Sequence, residues 1–292
     1  MPVSLVRLRL DLAYDGTDFA GWARQPGLRT VEATLVEALA RVLRQPAVQV
    51  TVAGRTDAGV HAQGQVAHVD VDAQAWEAMP GRSSRTPEES LVIRLTGVLP
   101  PDVVVHRVSV APPGFDARFS ALRRLYAYRI CDTAARQDPL RRASVLRHRR
   151  ALDVEAMDAA SRLLLGRHDF AAFCKPREGA TTIRTLENLS WTRPTLGADE
   201  GLVVARVQAD AFCHSMVRAL VGASLAVGEG RRPVAWPAEL LAGRKRDPGS
   251  AVAPAYGLTL EEVTYPPDEE VGLRAAQTRA IRSAEDIDRP CG

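Results

Sequence analysis

One aspartate of the chain sits in a run whose residue types could do chemistry: Ala53-Gly54-Arg55-Thr56-Asp57-Ala58-Gly59-Val60-His61. An apolar stretch with strand character, Val48 to Ala53, leads into it. Gly54 and Gly59 tolerate backbone angles that other residues avoid, so they permit a tight excursion that holds Asp57 out at a sheet edge beside Arg55. An ionised carboxylate so placed can attack a carbon or take a proton. The same letters also fit an ordinary turn between two strands, since Asp and Gly dominate turns for backbone reasons.

Two further stretches bear on the choice. Cys213 to Val227 reads as a helix that is apolar almost all round and carries one permanent charge, Arg218. A buried guanidinium needs an anion or a polar cavity, so Arg218 pairs with a structural acid, snorkels to the helix end, or faces a catalytic carboxylate. In Arg123-Arg124-Leu125-Tyr126-Ala127-Tyr128, the two tyrosines share one face of a strand, with arginines just before them. Rings flanked by arginines suit base stacking with phosphate contacts, and they suit plain sheet packing equally.

The elements that must position these residues follow from periodicity. Val6, Leu8, Leu10 and Leu12 alternate with polar residues as a strand. Thr30 caps a helix with Val31, Leu35, Ala38, Leu39 and Val42 on one face, closed by Pro46. Strands are predicted over 48–53, 65–71 and 103–110, and Pro87 opens a second helix. The order is β-α-β-β-α-β, the split βαβ pattern of ferredoxin-like units. Pro112-Pro113-Gly114 marks a boundary. The second half repeats the order, with strands over 124–131, 185–192, 201–210 and 258–264. Its helices are one capped by Asp153, one over 213–227 and a short one over 236–242. His168-Asp169 is expected in a loop after Gly166. The expected fold is therefore α+β: an N-terminal lobe over 1–111 carrying the Asp loop and a C-terminal lobe over 112–267. Their antiparallel sheets join, with helices on one side and a cleft between. Residues 268–292 are expected to form a weak helix or frayed, weakly ordered tail.

Composition narrows the class. The chain has 292 residues, 46% hydrophobic and 25% charged, enough for a sizeable core. No apolar run approaches the roughly 18 residues of a membrane span, and no secretory signal is visible. Four widely spaced cysteines (131, 174, 213, 291) are most simply free thiols in a reducing cytoplasm. Net charge is +3, yet 36 of the 38 basic residues are arginine. Arg136, Arg141, Arg142, Arg147, Arg149 and Arg150 crowd one segment with a single acid, Asp138, as a solvated surface or a phosphate-facing one. His61, His68, His168, Cys174, Cys213 and His214 fall at no strong metal-ligand spacing.

In order along the chain come Tyr14-Asp15-Gly16 with Phe19, Gly21-Trp22 and Gln25; the octad Gly54 to His61; and Phe115 with Ala117 to Ser120. Then follow Tyr126-x-Tyr128; His168-Asp169-Phe170 with Phe173; Phe212, His214 and Met216-Val217-Arg218; Val221-Gly222; Ala253-Pro254-Ala255; and Gly257-Leu258. Together these resemble the tRNA pseudouridine synthase A family over about residues 5 to 266.

The resemblance implies an isomerase that converts uridine to pseudouridine in the anticodon stem-loop of tRNA, at tRNA positions 38, 39 and 40. It implies no cofactor and no metal, a cytoplasmic homodimer, and one tRNA touching both subunits through its stem-loop and body. It assigns Asp57 as the catalytic nucleophile and Arg218 as its ion-pair partner. Tyr126 lies against the base, for stacking or proton exchange, Arg55 helps hold the flipped nucleotide, and Leu258 packs near the base. Ala219 stands where family members often carry Asn, and Ala127 where they often carry a basic residue. A catalytically silent RNA-binding factor would share the arginines and tyrosines without needing Asp57.

Overall fold

A computed structural model describes residues 4–45, 48–176, 181–247, 249 and 251–279. Pro46 and Cys291 lie outside the described residues. The fold is mixed α/β with mostly antiparallel strands, and the chain falls into two compact units. One takes the residues up to Leu122 and returns for Glu261–Arg279; the other takes Arg123–Leu260.

The first unit contains β1 (Leu5–Tyr14), α1 (Val31–Leu43), β2 (Val50–Val52), β3 (His61–Asp72), α2 (Ala73–Glu77), α3 (Pro87–Thr96) and β4 (Val103–Val110). The alternation in β1 buries Leu8, Leu10, Leu12 and Tyr14. Its neighbours are β4 on one side and β3 on the other, both antiparallel, with β2 also on β3. Thr30 caps α1 by accepting from Ala33 N, and Thr86 with Glu89 forms a complete capping box at α3, where Pro87 occupies the first turn. The strand expected over 48–53 is shorter, Val50–Val52, because the chain turns at Ala53 into the octad. Helix α2 was not foreseen: its five residues carry one apolar anchor, buried Trp76, too few for a periodic signal.

The division between units falls at 122/123, where the Pro112-Pro113-Gly114 run suggests 111/112. Residues 115–122 are tied to the first unit by long-range bonds that periodicity does not reveal. His68 Nδ1 accepts from Ala117 N at 3.0 Å, and Tyr265 OH donates to Ala117 O at 2.6 Å. Ser120 Oγ donates to Val271 O at 2.8 Å, and Leu122 N to Thr264 O at 2.8 Å. The expected weakly ordered tail begins with a helix, α7 (Val271–Thr278), which buries Val271 and Ala275. Residues from 280 onward lie outside the described residues.

The second unit contains β5 (Arg123–Cys131), β6 (Leu146–Arg147), α4 (Val154–Arg162), β7 (Gly166–Asp169), β8 (Ile183–Thr192), β9 (Val203–Ala209), α5 (Met216–Gly228) and α6 (Trp236–Gly243). Strand β10 (Leu258–Thr264) is divided between the units after Leu260. The strands run β5-β9-β8-β7, antiparallel throughout, with β6 parallel on β5. His168-Asp169, expected in a loop, lies in β7, because Arg184 and Ile183 of β8 supply the pairing. Two arginines of the arginine-rich segment, Arg141 and Arg150, pair with acids from elsewhere in this unit. Arg129 and Arg141 share Asp199, and Arg150 and His148 reach Glu229.

The expectation of free thiols is corrected. Cys174 and Cys213 form a disulfide, with Cα atoms 5.6 Å apart. A separation of 39 residues hides the pair from any local motif. A short 3-10 turn, Ala171–Phe173, brings Cys174 to the segment before α5, where Lys175 N also donates to His214 O at 3.0 Å. Cys131 is free and buried.

Candidate active site

The octad loop connects β2 to β3 in the first unit, and the segment 14–22 wraps it. Trp22 N donates to Thr56 O at 3.0 Å, Gly59 N to Phe19 O at 3.3 Å, and Gly16 N to His61 Nδ1 at 3.0 Å. Phe19 and Trp22 are both buried. Gly21 has φ +95°, and a Cβ there would come within 2.9 Å of Thr56 O and 3.2 Å of Asp57 C, so no other residue fits without moving the loop. The N-terminal motif of the sequence is thus the seat of the octad. Within the loop, Val60 N donates to Asp57 O at 3.2 Å, closing a turn across Ala58-Gly59. Gly59 is left-handed (φ +78°) as expected, whereas Gly54 is absent from the positive-φ glycines. Gly54 serves instead as an acceptor: Gln65 Nε2 donates to its carbonyl at 2.9 Å.

Burial alternates along the loop. Thr56 is 7% exposed, while Arg55 on one side is exposed and Asp57 on the other is half-buried. The loop therefore buries Thr56 between an exposed Arg55 and a half-buried Asp57. Thr56 Oγ1 lies 2.7 Å from Tyr14 OH, which also receives Gln65 Nε2 at 3.2 Å. Burial pushes the Tyr14 hydroxyl up to about 12, with the bonds to Thr56 and Gln65 pulling the other way, so it stays a neutral donor at physiological pH.

The second unit holds Tyr126, Arg218 and Leu258. Tyr126, on β5, is 7% exposed and meets Phe212 edge-to-face at 5.2 Å between centroids. Its partner on the same strand, Tyr128, is fully buried and donates to Pro254 O at 2.8 Å; burial pushes its hydroxyl strongly up, with nearby Arg218 acting the other way. The arginine before the tyrosines serves the fold. Arg124 is buried and bonds Asp210 O at 2.6 Å.

Helix α5 is buried along its length except at Arg218, as its composition predicts. It starts from Ser215 in the left-handed region (φ +63°), a sharp entry that sequence reasoning did not find. Arg218 Nε donates to Ala253 O at 2.8 Å, and Ala253 N donates back to Arg218 O at 3.0 Å. One turn on, a Cβ at Gly222 would overlap the carbonyl of Ala251, so the helix and the 251–258 segment approach closer than any side chain allows. A Cβ at Gly257 would likewise strike the Tyr128 ring at 2.7 Å. Gly222 and Ala253, separate in sequence, thus seat Arg218, and Gly257 packs on Tyr128; Leu258 is buried.

Among the described residues no group of three or more His, Cys, Asp or Glu side chains is arranged to hold a metal ion, and no helix is long and apolar enough to cross a membrane.

A family profile described as tRNA pseudouridine synthase matches residues 160–266. Over nearly the whole length, the chain is 59% identical to a tRNA pseudouridine synthase A of Frankia casuarinae, covering 97% of each chain. It is 56% identical to the protein of that name from Streptomyces griseus, over 95% of this chain and 94% of the other. It is 52% identical to the one from Mycobacterium leprae, over 96% of both. Among solved structures, a Cbf5–Nop10–Gar1 complex matches at TM-score 0.29 and 10% identity, covering 78% of this chain and 55% of that chain, a likeness too low to establish a shared fold.

Proposed function

The chain belongs to the tRNA pseudouridine synthase A family, and from that premise we propose that Asp57 is the carboxylate that acts on the ribose of a flipped uridine. The protein is an isomerase of tRNA, converting uridine to pseudouridine: the N1–C1′ bond breaks, the uracil turns, C5 bonds to C1′, and the hydrogen on C5 is lost. The substrate is the anticodon stem-loop, at the tRNA positions the resemblance implies.

The observation that carries the assignment is the loop itself. Asp57 is half-buried and Arg55 exposed on a loop clamped at Gly54 and at the buried Thr56. Either attack at C1′ or removal of the C2′ proton requires the ionised carboxylate. Arg218 is the cation assigned to keep it ionised, and its hold on Ala253 supports that role because it fixes the guanidinium on a rigid helix. Tyr126 is the ring assigned to the extruded base, which costs a few kcal/mol to unstack. The edge-to-face contact with Phe212 supports this by holding the ring in place. Arg55 is assigned to help hold the flipped nucleotide and Leu258 to pack near the base. The enzyme is proposed to act as a homodimer, without cofactor, each chain built from two βαββαβ lobes. The order β1-α1-β2-β3-α3-β4 in the first unit supports that reading, whereas β6 and β7 interrupt the pattern in the second.

Tritium release from tRNA carrying C5-labelled uridine reads the reaction directly. Wild type is expected to release tritium and Asp57→Asn to release none above background. Equal release by Asp57→Asn would overturn the assignment. Tight tRNA binding by the wild type with no release would favour the silent RNA-binding factor.

A further inference from the structure

We propose that Gln65 and Tyr14 are positioning residues for this reaction, acting through Gly54 and Thr56 to aim Arg55 and Asp57. The inference rests on the reading of Asp57 as the catalytic carboxylate, and it assigns work to two side chains that the mechanism does not otherwise use.

The direction of the Gln65 bonds is fixed by what their partners can do. Gln65 is completely buried. Its amide is oriented without ambiguity, because Val66 N can only donate, at 3.2 Å to Oε1, and Gly54 O can only accept, at 2.9 Å from Nε2. The second amide hydrogen then goes to Tyr14 OH at 3.2 Å. The Tyr14 and Thr56 hydroxyls lie 2.7 Å apart, and either can donate to the other. A hydrogen-bonded chain thus joins Gln65, Tyr14 and Thr56, with a second arm from Gln65 to Gly54.

The two arms grip the loop at positions 54 and 56. The anchors are the carbonyl of Gly54 and the buried side chain of Thr56, which flank Arg55 and immediately precede Asp57. Arg55 is exposed and Asp57 half-buried beside them. The β1–β3 ladder is built to allow this grip. Leu12 pairs with Gln65 but Tyr14 pairs with Ala62, so a bulge falls where Tyr14 and Gln65 meet. Bulges re-aim side chains, and here one brings the end of β1 onto the loop. A buried, fully paired network of this kind gives rigidity rather than adaptability. Reacting groups misplaced by about 1 Å lose roughly a hundredfold in rate.

The test compares Tyr14→Phe, Gln65→Leu, Thr56→Val and Thr56→Ser with wild type and Asp57→Asn. Steady-state tritium release from labelled tRNA is measured alongside thermal unfolding of each variant. Phe keeps the ring packed against Trp22 and removes only the hydroxyl; Val matches the volume of Thr without its oxygen. The expected result is a kcat lowered roughly ten- to a hundredfold in the first three variants. KM for tRNA is expected within about threefold of wild type, because binding through the rest of the tRNA is untouched. Thr56→Ser is expected to recover most of the rate that Thr56→Val loses. A kcat within twofold of wild type in Tyr14→Phe and Gln65→Leu, with Asp57→Asn inactive, overturns the positioning role alone. Activity lost only in step with the folded fraction, in Gln65→Leu and Thr56→Val alike, overturns it too. An active Asp57→Asn overturns the underlying reading of the site.

Discussion

Arg218 illustrates how one residue joins fold and chemistry. Its position in an apolar helix marks it as a charge in need of a reason, and the structure supplies the scaffold for that reason. The guanidinium is held through Nε by Ala253 O, while the backbone of the same residue receives Ala253 N. The Arg218→Leu variant is expected to lose tritium release by more than about a hundredfold. It orphans one carbonyl and removes a charged hydrogen bond, for a stability loss of about 2 kcal/mol, so the protein stays folded. Arg218→Lys should not restore the rate, since an ammonium lacks the planar fork that bonds Ala253 and a carboxylate together. Single-turnover release and urea unfolding separate the two effects. Wild-type rates in Arg218→Leu would show that the pairing with Asp57 is wrong.

At the scale of elements, β3 carries much of the organisation of the first unit. It pairs with β1 and β2, its entry is the octad loop, Gln65 grips that loop, and His68 holds the segment that follows β4. His68 accepts a backbone N–H, so it must be neutral, and burial first and Arg7 second push its pKa below 6.5. In the unfolded chain histidine titrates near 6.5, so the unfolded state binds the extra proton first as pH falls. This contribution to stability is therefore whole above pH 6.5 and is lost progressively as pH drops through the lowered folded value. His68→Asn keeps an acceptor without a titrating group. Between pH 7.5 and 5 the wild type should lose more unfolding free energy than this variant, measured by urea midpoints. Identical losses would show that His68 does not contribute to the acid response.

The two residues proposed for the chemistry stand on two supports, each assembled from distant segments. The octad loop rests on the 14–22 segment, and Arg218 rests on the 251–258 segment. In the second unit the Cys174–Cys213 disulfide closes a long loop onto the stretch that leads through Phe212 into α5. A loop of 39 residues closed by a disulfide constrains the unfolded chain by up to about 4 kcal/mol. Cys213→Ser, or wild type in dithiothreitol, is accordingly expected to unfold at lower denaturant, with a peptide linking residues 174 and 213 seen only before reduction. Alkylation of both cysteines in the denatured, unreduced protein would refute the bond.

Local patterns carried most of the strands and the capped helices, because periodicity and capping act within a few residues. The octad was legible for the same reason, and so was Arg218, since a lone charge in an apolar helix is costly wherever the helix lies. What needed tertiary structure was every feature made by residues far apart. The companion motifs showed in sequence only as an ordered set; folded, they are the seats of Asp57 and Arg218, where Gly21 and Gly222 admit backbone too close for any side chain. The disulfide, β7 and the return of 115–122 to the first unit depend on partners that no local window contains. Residue chemistry states what a site needs, but which buried donors meet which acceptors is decided by packing, and packing is long-range.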